Sequence, residues 1–362
     1  MKKQHILFAS FLYVCAVLYL AITTPISPHE AKIFYTSEDL VSQLMHWGDS
    51  LVGGFIGLRF FFILLGLISI MLFYKLSREH FIKKEDAYVA TVIFMFLPGI
   101  LTAGVLVNVT ILVLPLVLFF VLMYERGHFW FLPFVMLALF FIHEASIIFF
   151  VALLIYGLVH KDKKLSIMSA AFLIAFVYFA KGIEIGGRPS GHFVEVFGLY
   201  ASVFSPLLFL YFFYALYRIL LREKKTLLWY ISFTALAFSL LLSIRQRVYI
   251  TDFAPYVTIS IIVMLDVFNN SVRVRLPEFQ KQYKRGFYVV LAFLALSVSV
   301  IIFHKLTYEL ASDPSRHFVK RIYEPYYLAK QLKKEEVPCY EHSRGKERYQ
   351  LRYYGILLCN NY

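Results

Sequence analysis

Polar side chains able to do chemistry are few in this sequence, and each stands beside a long apolar run. In "TTPISPHEAKIFYTSEDLVSQLMHW" (residues 23–47), Glu30 follows immediately on the first hydrophobic segment, with His29 next to it. An acid at a helix start favours the dipole and the capping geometry whether or not it also does chemistry. Arg245 and Arg247 stand two apart beside Tyr249, where guanidinium groups can grip a phosphate or snorkel to headgroups. "FFIHEASIIFF" sets His143 and Glu144 inside an apolar run, which is costly unless they pair, form a polar turn or face water. A histidine with an acid is also a fragment of a metal site. Local spacing supplies no third ligand, and Glu30 with His29 completes one only if distant loops converge. Asn108 can hydrogen-bond a sugar or phosphate, or cap a helix. Glu38, Asp39, His46 and Asp49 read as the solvated polar face of the first loop, Asp252 as a partner for a nearby arginine, and Glu184, His192 and Glu195 as an outer surface loop or an acceptor approach.

The elements that carry these residues are set by composition. The 362 residues are 60% hydrophobic, 19% aromatic and only 16% charged, and apolar runs of bilayer length recur along the chain. A soluble core cannot absorb that many, so the chain reads as an all-α, polytopic integral membrane protein of about eleven transmembrane helices. The spans fall near 5–23, 54–74, 87–103, 107–124, 129–143, 144–160, 165–181, 197–217, 227–244, 250–268 and 287–304. The pair 129–143 and 144–160 is short, as expected of tilted or re-entrant segments. The first segment lacks a small-x-small cleavage site and reads as a retained span rather than a signal peptide.

The net charge of +13 follows topology. With the N-terminus inside, the cytoplasmic segments hold clusters such as Lys75, Arg78, Lys83 and Lys84, or Arg218, Arg222, Lys224 and Lys225. The opposite side holds only Lys32, Arg59, Lys181, Arg188, Arg245 and Arg247 in its loops and span ends. No aromatic-basic module points to nucleic acid. Residues 24–53, 181–196 and 245–249, with the tail, then lie outside, and these are the places for chemistry.

Residues 1–304 read as the transmembrane domain, with 24–53 as a first outer loop carrying one amphipathic helix on the membrane surface, through Ile33, Phe34, Leu40, Leu44 and Trp47. Residues 305–362 read as a small extracytoplasmic α+β tail, helical over "RHFVKRIYEPYYLAKQLKKEE" and strand-like over "RYQLRYYGILL". Cys339 and Cys359 both fall there and can pair in an oxidising compartment, while Cys15 lies in a span. "KGIEIGGRPSGHF" reads as a loop able to move. No internal repeat, Walker loop, dinucleotide glycine pattern, CxxC pair or nucleophile elbow is present.

Four blocks together resemble the GT-C glycosyltransferases of the protein O-mannosyltransferase and aminoarabinose transferase group. "HEAKIFY" is similar to their first-loop segment at Glu30, Ala31 and an aromatic at Phe34 or Tyr35. "LRFFFILLGLISIMLFYKLSREHF", with Arg59 at its outer end, resembles the second span. "FMFLPGILTAGVLVNVTILVLPLVLFFVLMY" resembles the hairpin that follows, and "SIRQRVYITDFAPYVTISIIVML" a late Arg-Tyr then Pro segment. The four lie in family order over roughly residues 5–270.

The resemblance implies a glycosyltransferase of the inner membrane that takes a sugar from a polyprenyl-phosphate carrier and transfers it, on the periplasmic face, to a glycan, lipid or protein. It implies a catalytic base at Glu30, which takes the proton that an attacking hydroxyl or amine must lose. In some members a divalent cation assists, for which Glu30, His143 and Glu144 are the candidate ligands here. The leaving phosphate needs fixed cations, a role for Arg245 and Arg247, with Arg59 and Arg188 as weaker candidates. His29, Asn108, His143, Glu144 and Tyr249 then line the substrate cavity. Two positions depart from the pattern: His143–Glu144 stands where relatives carry a Lys-Gly-type turn, and Asn108 where many carry an acid. Other readings are a polysaccharide polymerase or ligase, and a lipid-linked-glycan flippase; the latter predicts charges near midplane and a repeat of two halves.

Overall fold

The structure is a computed structural model and describes residues 3–179, 191–337, 339–340 and 345–359. Lys181, Glu184 and Arg188, named above as candidates, lie outside the described residues. The fold is 81% helical. In chain order the α-helices are α1 (Lys3–Thr23), α2 (Pro28–Thr36), α3 (Leu40–Val52), α4 (Gly54–His80), α5 (Lys84–Met95), α6 (Pro98–Val105), α7 (Thr110–Glu125), α8 (Leu132–Ile142), α9 (Ser146–Val159) and α10 (Lys163–Tyr178). There follow α11 (Phe193–Phe204), α12 (Pro206–Arg222), α13 (Leu227–Ser243), α14 (Ile250–Thr258), α15 (Ile261–Val274), α16 (Pro277–Ile302), α17 (His304–Glu309), α18 (Lys320–Lys334) and α19 (Glu347–Tyr353).

By length and apolarity α1, α4 and α16 can each cross a membrane, and three bent pairs, α5–α6, α11–α12 and α14–α15, can each act as a broken span. Their outward faces stay apolar. Phe8, Phe11, Ile68, Leu210 and Leu296 are all exposed, as lipid contact requires and water would penalise.

Proline sets the breaks. Pro98 opens α6 at a 58° bend, and Pro206 opens α12 at a 106° bend, so the single span expected over 197–217 is two helices meeting at Ser205. Proline has no N–H to extend the preceding helix, and its ring pushes the residue before it out of helical geometry. Ser205 takes φ +83°, a conformation that costs a non-glycine residue on the order of 1–3 kcal/mol.

Pro255 lies within α14, and the carbonyl it leaves without a partner, Thr251 O, accepts the Thr110 hydroxyl at 2.7 Å. Just beyond, at the 45° bend, Ser232 Oγ donates to Tyr256 O and Ser260 Oγ donates to Leu228 O, both at 2.7 Å. Side-chain hydroxyls thus satisfy backbone that lipid could not.

The chain divides into two compact units, described separately. One comprises Met1–Tyr13, Leu65–Thr102 and Val109–Val298. In it α9 packs against α10 and α13, α14 against α13 and α7, and α15 against α12 and α5. The other comprises Val14–Leu64, Ala103–Asn108 and Ser299–Tyr362, so the tail belongs with the first loop. In it α2 packs against α3 and α19, and α19 against α18.

The first loop holds two helices where one was expected. Ser37 closes the first, its N–H donating to Ile33 O, and Asp39 caps the second, accepting from Ser42 N at 2.9 Å. A Cβ at Gly48 would collide with the Gly57 carbonyl, so glycine there lets α3 lie directly on α4. In the tail, the stretch read as a strand is α19, with only Leu357–Leu358 extended and paired in parallel with Cys339–Tyr340. Alternating Arg, Tyr and Leu suits a strand locally, but a helix lets Leu351 join Ala329, Leu332 and Ile356 in a small core. Cys339 and Cys359 form a disulfide around that core.

Candidate active site

Ser27 and Pro28 start α2. Ser27 Oγ accepts from Glu30 N at 3.2 Å while Glu30 Oε2 accepts from Ser27 N at 2.8 Å, a reciprocal cap, and Pro28 occupies the first helical position. This cap turns the Glu30 side chain back into the protein, where no part of it is exposed. Arg59, equally buried on α4, meets it with Nε at 2.9 Å from Oε1 and Nη2 at 3.1 Å from Oε2. The other N–H groups of Arg59 donate to Ala21 O, Thr24 O and Pro25 O at 2.8–3.1 Å. All five guanidinium donors are used.

Val107 N adds a fourth donor to Glu30, at 3.2 Å from Oε1. Burial alone would push the Glu30 carboxyl up; the Arg59 charge and hydrogen bonds, with those from Ser27, outweigh it and hold the group below the usual carboxylate range. The chemical consequence is plain. A carboxylate with four N–H donors and no exposed surface is a poor proton acceptor for a substrate, and an arginine with no spare N–H does not grip a phosphate. The pair fixes the end of α1, the start of α2, the start of α4 and the segment before Asn108 as one piece.

The tail tightens the same loop. Gln350 Nε2 donates to Ile26 O at 2.8 Å and to Arg321 O at 3.1 Å, and Tyr354 Oη accepts from Ile26 N at 3.3 Å. His304 donates from Nδ1 to Ile301 O at 2.7 Å, which leaves Nε2 to accept the Tyr323 hydroxyl at 3.0 Å, with Thr24 Oγ1 at 3.5 Å.

Between α2 and the tail helices lies a cavity of about 1040 Å³, lined among others by His29, His317, Lys320, Arg321, Lys346 and Gln350. His29 is thus the titratable first-loop group on this lining. Partial desolvation by the surrounding walls, then the Lys346 charge, hold the imidazole of this solvent-exposed residue below the usual histidine range, so it is a neutral acceptor at neutral pH.

The other candidates lie in the first unit, apart from Asn108, which follows Val107 in the second and is half-buried. His143 and Glu144 occupy the turn between α8 and α9. His143 is buried, with Nε2 at 3.6 Å from Asp252 Oδ1 and Nδ1 at 3.4 Å from Tyr256 Oη, while Glu144 is exposed. The carboxylate beside His143 is therefore Asp252. Arg247 binds Glu195 through Nη2 at 2.7 Å and Nε at 3.2 Å, and His192 approaches the same carboxylate at 3.0 Å. Arg245 and Tyr249 are exposed. Among the described residues no group of three or more His, Cys, Asp or Glu side chains is placed to hold a metal ion.

Gln350, Tyr354, His304 and Tyr323 carry no motif, and sequence reasoning passed over them. The one signal was the cysteine pair flanking Gln350 and Tyr354, which marked that tail segment as held in place.

Among solved structures, the chain is similar to ArnT from Cupriavidus metallidurans in the apo state, with a TM-score of 0.54 at 14% identity over 97% of this chain and 74% of that one. It is also similar to ArnT from the same organism bound to undecaprenyl phosphate, with a TM-score of 0.53 at 13% identity over 98% of this chain and 75% of that one. No protein-family model matches the sequence, and no curated protein does. Apolar, proline-broken helices and a shared course over nearly the whole chain make this a multi-pass helical membrane protein with an ArnT-like fold.

Proposed function

We propose that the chain is a membrane glycosyltransferase that takes a sugar from a polyprenyl-phosphate carrier and passes it to a glycan, lipid or protein acceptor. The observation that carries this reading is the shared fold over 97% of the chain with ArnT, one of whose structures holds undecaprenyl phosphate. In the reaction an acceptor oxygen or nitrogen attacks the anomeric carbon. The bond from that carbon to the phosphate oxygen breaks, its electron pair leaves with the lipid phosphate, and the acceptor proton passes to a base.

His29, exposed and adjacent to the locked Glu30, is the group we assign to take that proton. About eleven passes, the N-terminus in the cytoplasm and the tail in the periplasm fit the distribution of Lys and Arg. A disulfide in the tail accords with an oxidising compartment. Neither a polymerase or ligase nor a flippase gains support from any particular contact.

The test is transfer from radiolabelled polyprenyl-phosphate sugars in membranes carrying wild type, His29→Gln or Glu30→Gln. The expected result is label leaving the carrier with wild type and retained with His29→Gln. Correctly inserted wild type that neither binds polyprenyl phosphate nor consumes any donor would overturn the proposal.

A further inference from the structure

We infer that a second cavity, between α12, α15 and α16, binds an anionic phospholipid, with its phosphate at the charged end of α16 and its chains laid along that helix. It stands apart from the sugar-transfer reading and does not rest on it. The cavity measures about 420 Å³ and is walled by aromatic rings: Phe268 stacks on Tyr283 and on Phe287, with centroids 5.4 and 4.0 Å apart. A space of that size takes the glycerol region of a lipid. Arg275 is the one charged residue on its described lining, and no acid shares that wall.

Charge and depth select the occupant. α16 is long and apolar enough to cross a membrane, and its polar residues gather in its first turns, so the cavity sits where a span meets headgroups. Residues 273–285 hold five cations, Arg273, Arg275, Lys281, Lys284 and Arg285, against one acid, Glu278. Asp86 takes up Arg273 at 3.5 Å, and among the described residues the other four cations form no ion pair. Exposed cations at headgroup level attract anionic lipid, a role that requires their exposure. Val274, Leu276 and Phe279, exposed among them, suit hydrocarbon rather than water. Arg275 lies over the Tyr283 ring at 4.1 Å, which holds its guanidinium on the cavity wall. Tyr211 and Tyr283 share one hydrogen bond at 2.9 Å, so one phenol O–H donates and the other has no acceptor among the described residues. A guanidinium and a spare hydroxyl are donors suited to a phosphodiester oxygen.

The experiment uses the full chain in phosphatidylcholine nanodiscs doped with photoactivatable phosphatidylglycerol or, as the neutral control, photoactivatable phosphatidylcholine. Labelled peptides are mapped by mass spectrometry. Saturable labelling within residues 279–290 by the anionic probe alone is the expected result. Arg275→Gln removes the charge, and Gly286→Leu fills the space, since a Cβ at Gly286 meets open volume. Each should weaken labelling at least about tenfold while the thermal transition in phosphatidylcholine alone is not lowered. Equal labelling by the two probes, or labelling that either variant leaves intact, overturns the inference. Polyprenyl phosphate serves as a competitor. If it displaces the probe at a lower concentration than unlabelled phosphatidylglycerol does, the cavity belongs to the carrier and the phospholipid assignment fails.

Discussion

Glu30 and Arg59 exchange two hydrogen bonds with neither side chain exposed, so each offsets the cost of burying the other. Removing one partner leaves a buried charge uncompensated, and Glu30→Ala or Arg59→Ala should each cost about 3–5 kcal/mol. Thermal unfolding in detergent checks this. His29→Gln should leave that transition within about 0.5 kcal/mol of wild type, as an exposed substitution does. It should slow sugar transfer about 100-fold or more, the usual contribution of a general base. Stability against pH separates the roles further. Because the folded Glu30 carboxyl sits below its usual range, the unfolded chain binds more protons in acid. The stabilisation is complete above the unfolded pKa and lost as pH falls through the lower folded one, below about pH 4. Glu30→Gln should remove that acid limb, measured as the transition midpoint across a pH series. Glu30 was visible in the sequence as an acid at a helix start; its partner was not, because 29 residues separate it from Arg59 and only the fold of α1, α2 and α4 closes that distance.

Broken helices distinguish this fold from a simple bundle, and each break needs hydroxyls to satisfy it. Thr110→Val keeps the shape of the side chain but strands Thr251 O in an apolar setting, at a cost of about 1–3 kcal/mol in the thermal transition. The tail helices act on the first loop in the same way. Gln350→Ala frees the Ile26 and Arg321 carbonyls, and reduction of the Cys339–Cys359 bond releases the segment that carries Gln350. Both should speed proteolysis within residues 345–359 and lower transfer while α1 and α4 stay folded, read by limited proteolysis and activity on the same sample. The spans read over 87–103, 197–217 and 250–268 ran through Pro98, Pro206 and Pro255, and the structure breaks each of them into two helices. A bend of 106° rather than a kink follows from what packs on either side of Ser205, which local sequence does not encode.

Across the whole molecule the proposed donor should act as a ligand of the folded state. Saturation with undecaprenyl phosphate at about 100 times its dissociation constant should raise stability by about 2.7 kcal/mol, and an unchanged transition under those conditions would count against the lipid-phosphate reading. What the sequence determined by itself is the class of the molecule: apolar runs in such number can only be buried in lipid or in one another. The likeness of four blocks to GT-C enzymes extended that to a fold that nearly the whole chain shares with ArnT. The tertiary structure decided which polar groups are consumed and which remain available. Glu30 and Arg59, both candidates by type, cancel in the interior, whereas His29 keeps an open face on a cavity walled by a tail nearly 300 residues away. Residue type and spacing limit what a side chain can do, but its accessibility depends on partners that local sequence does not contain.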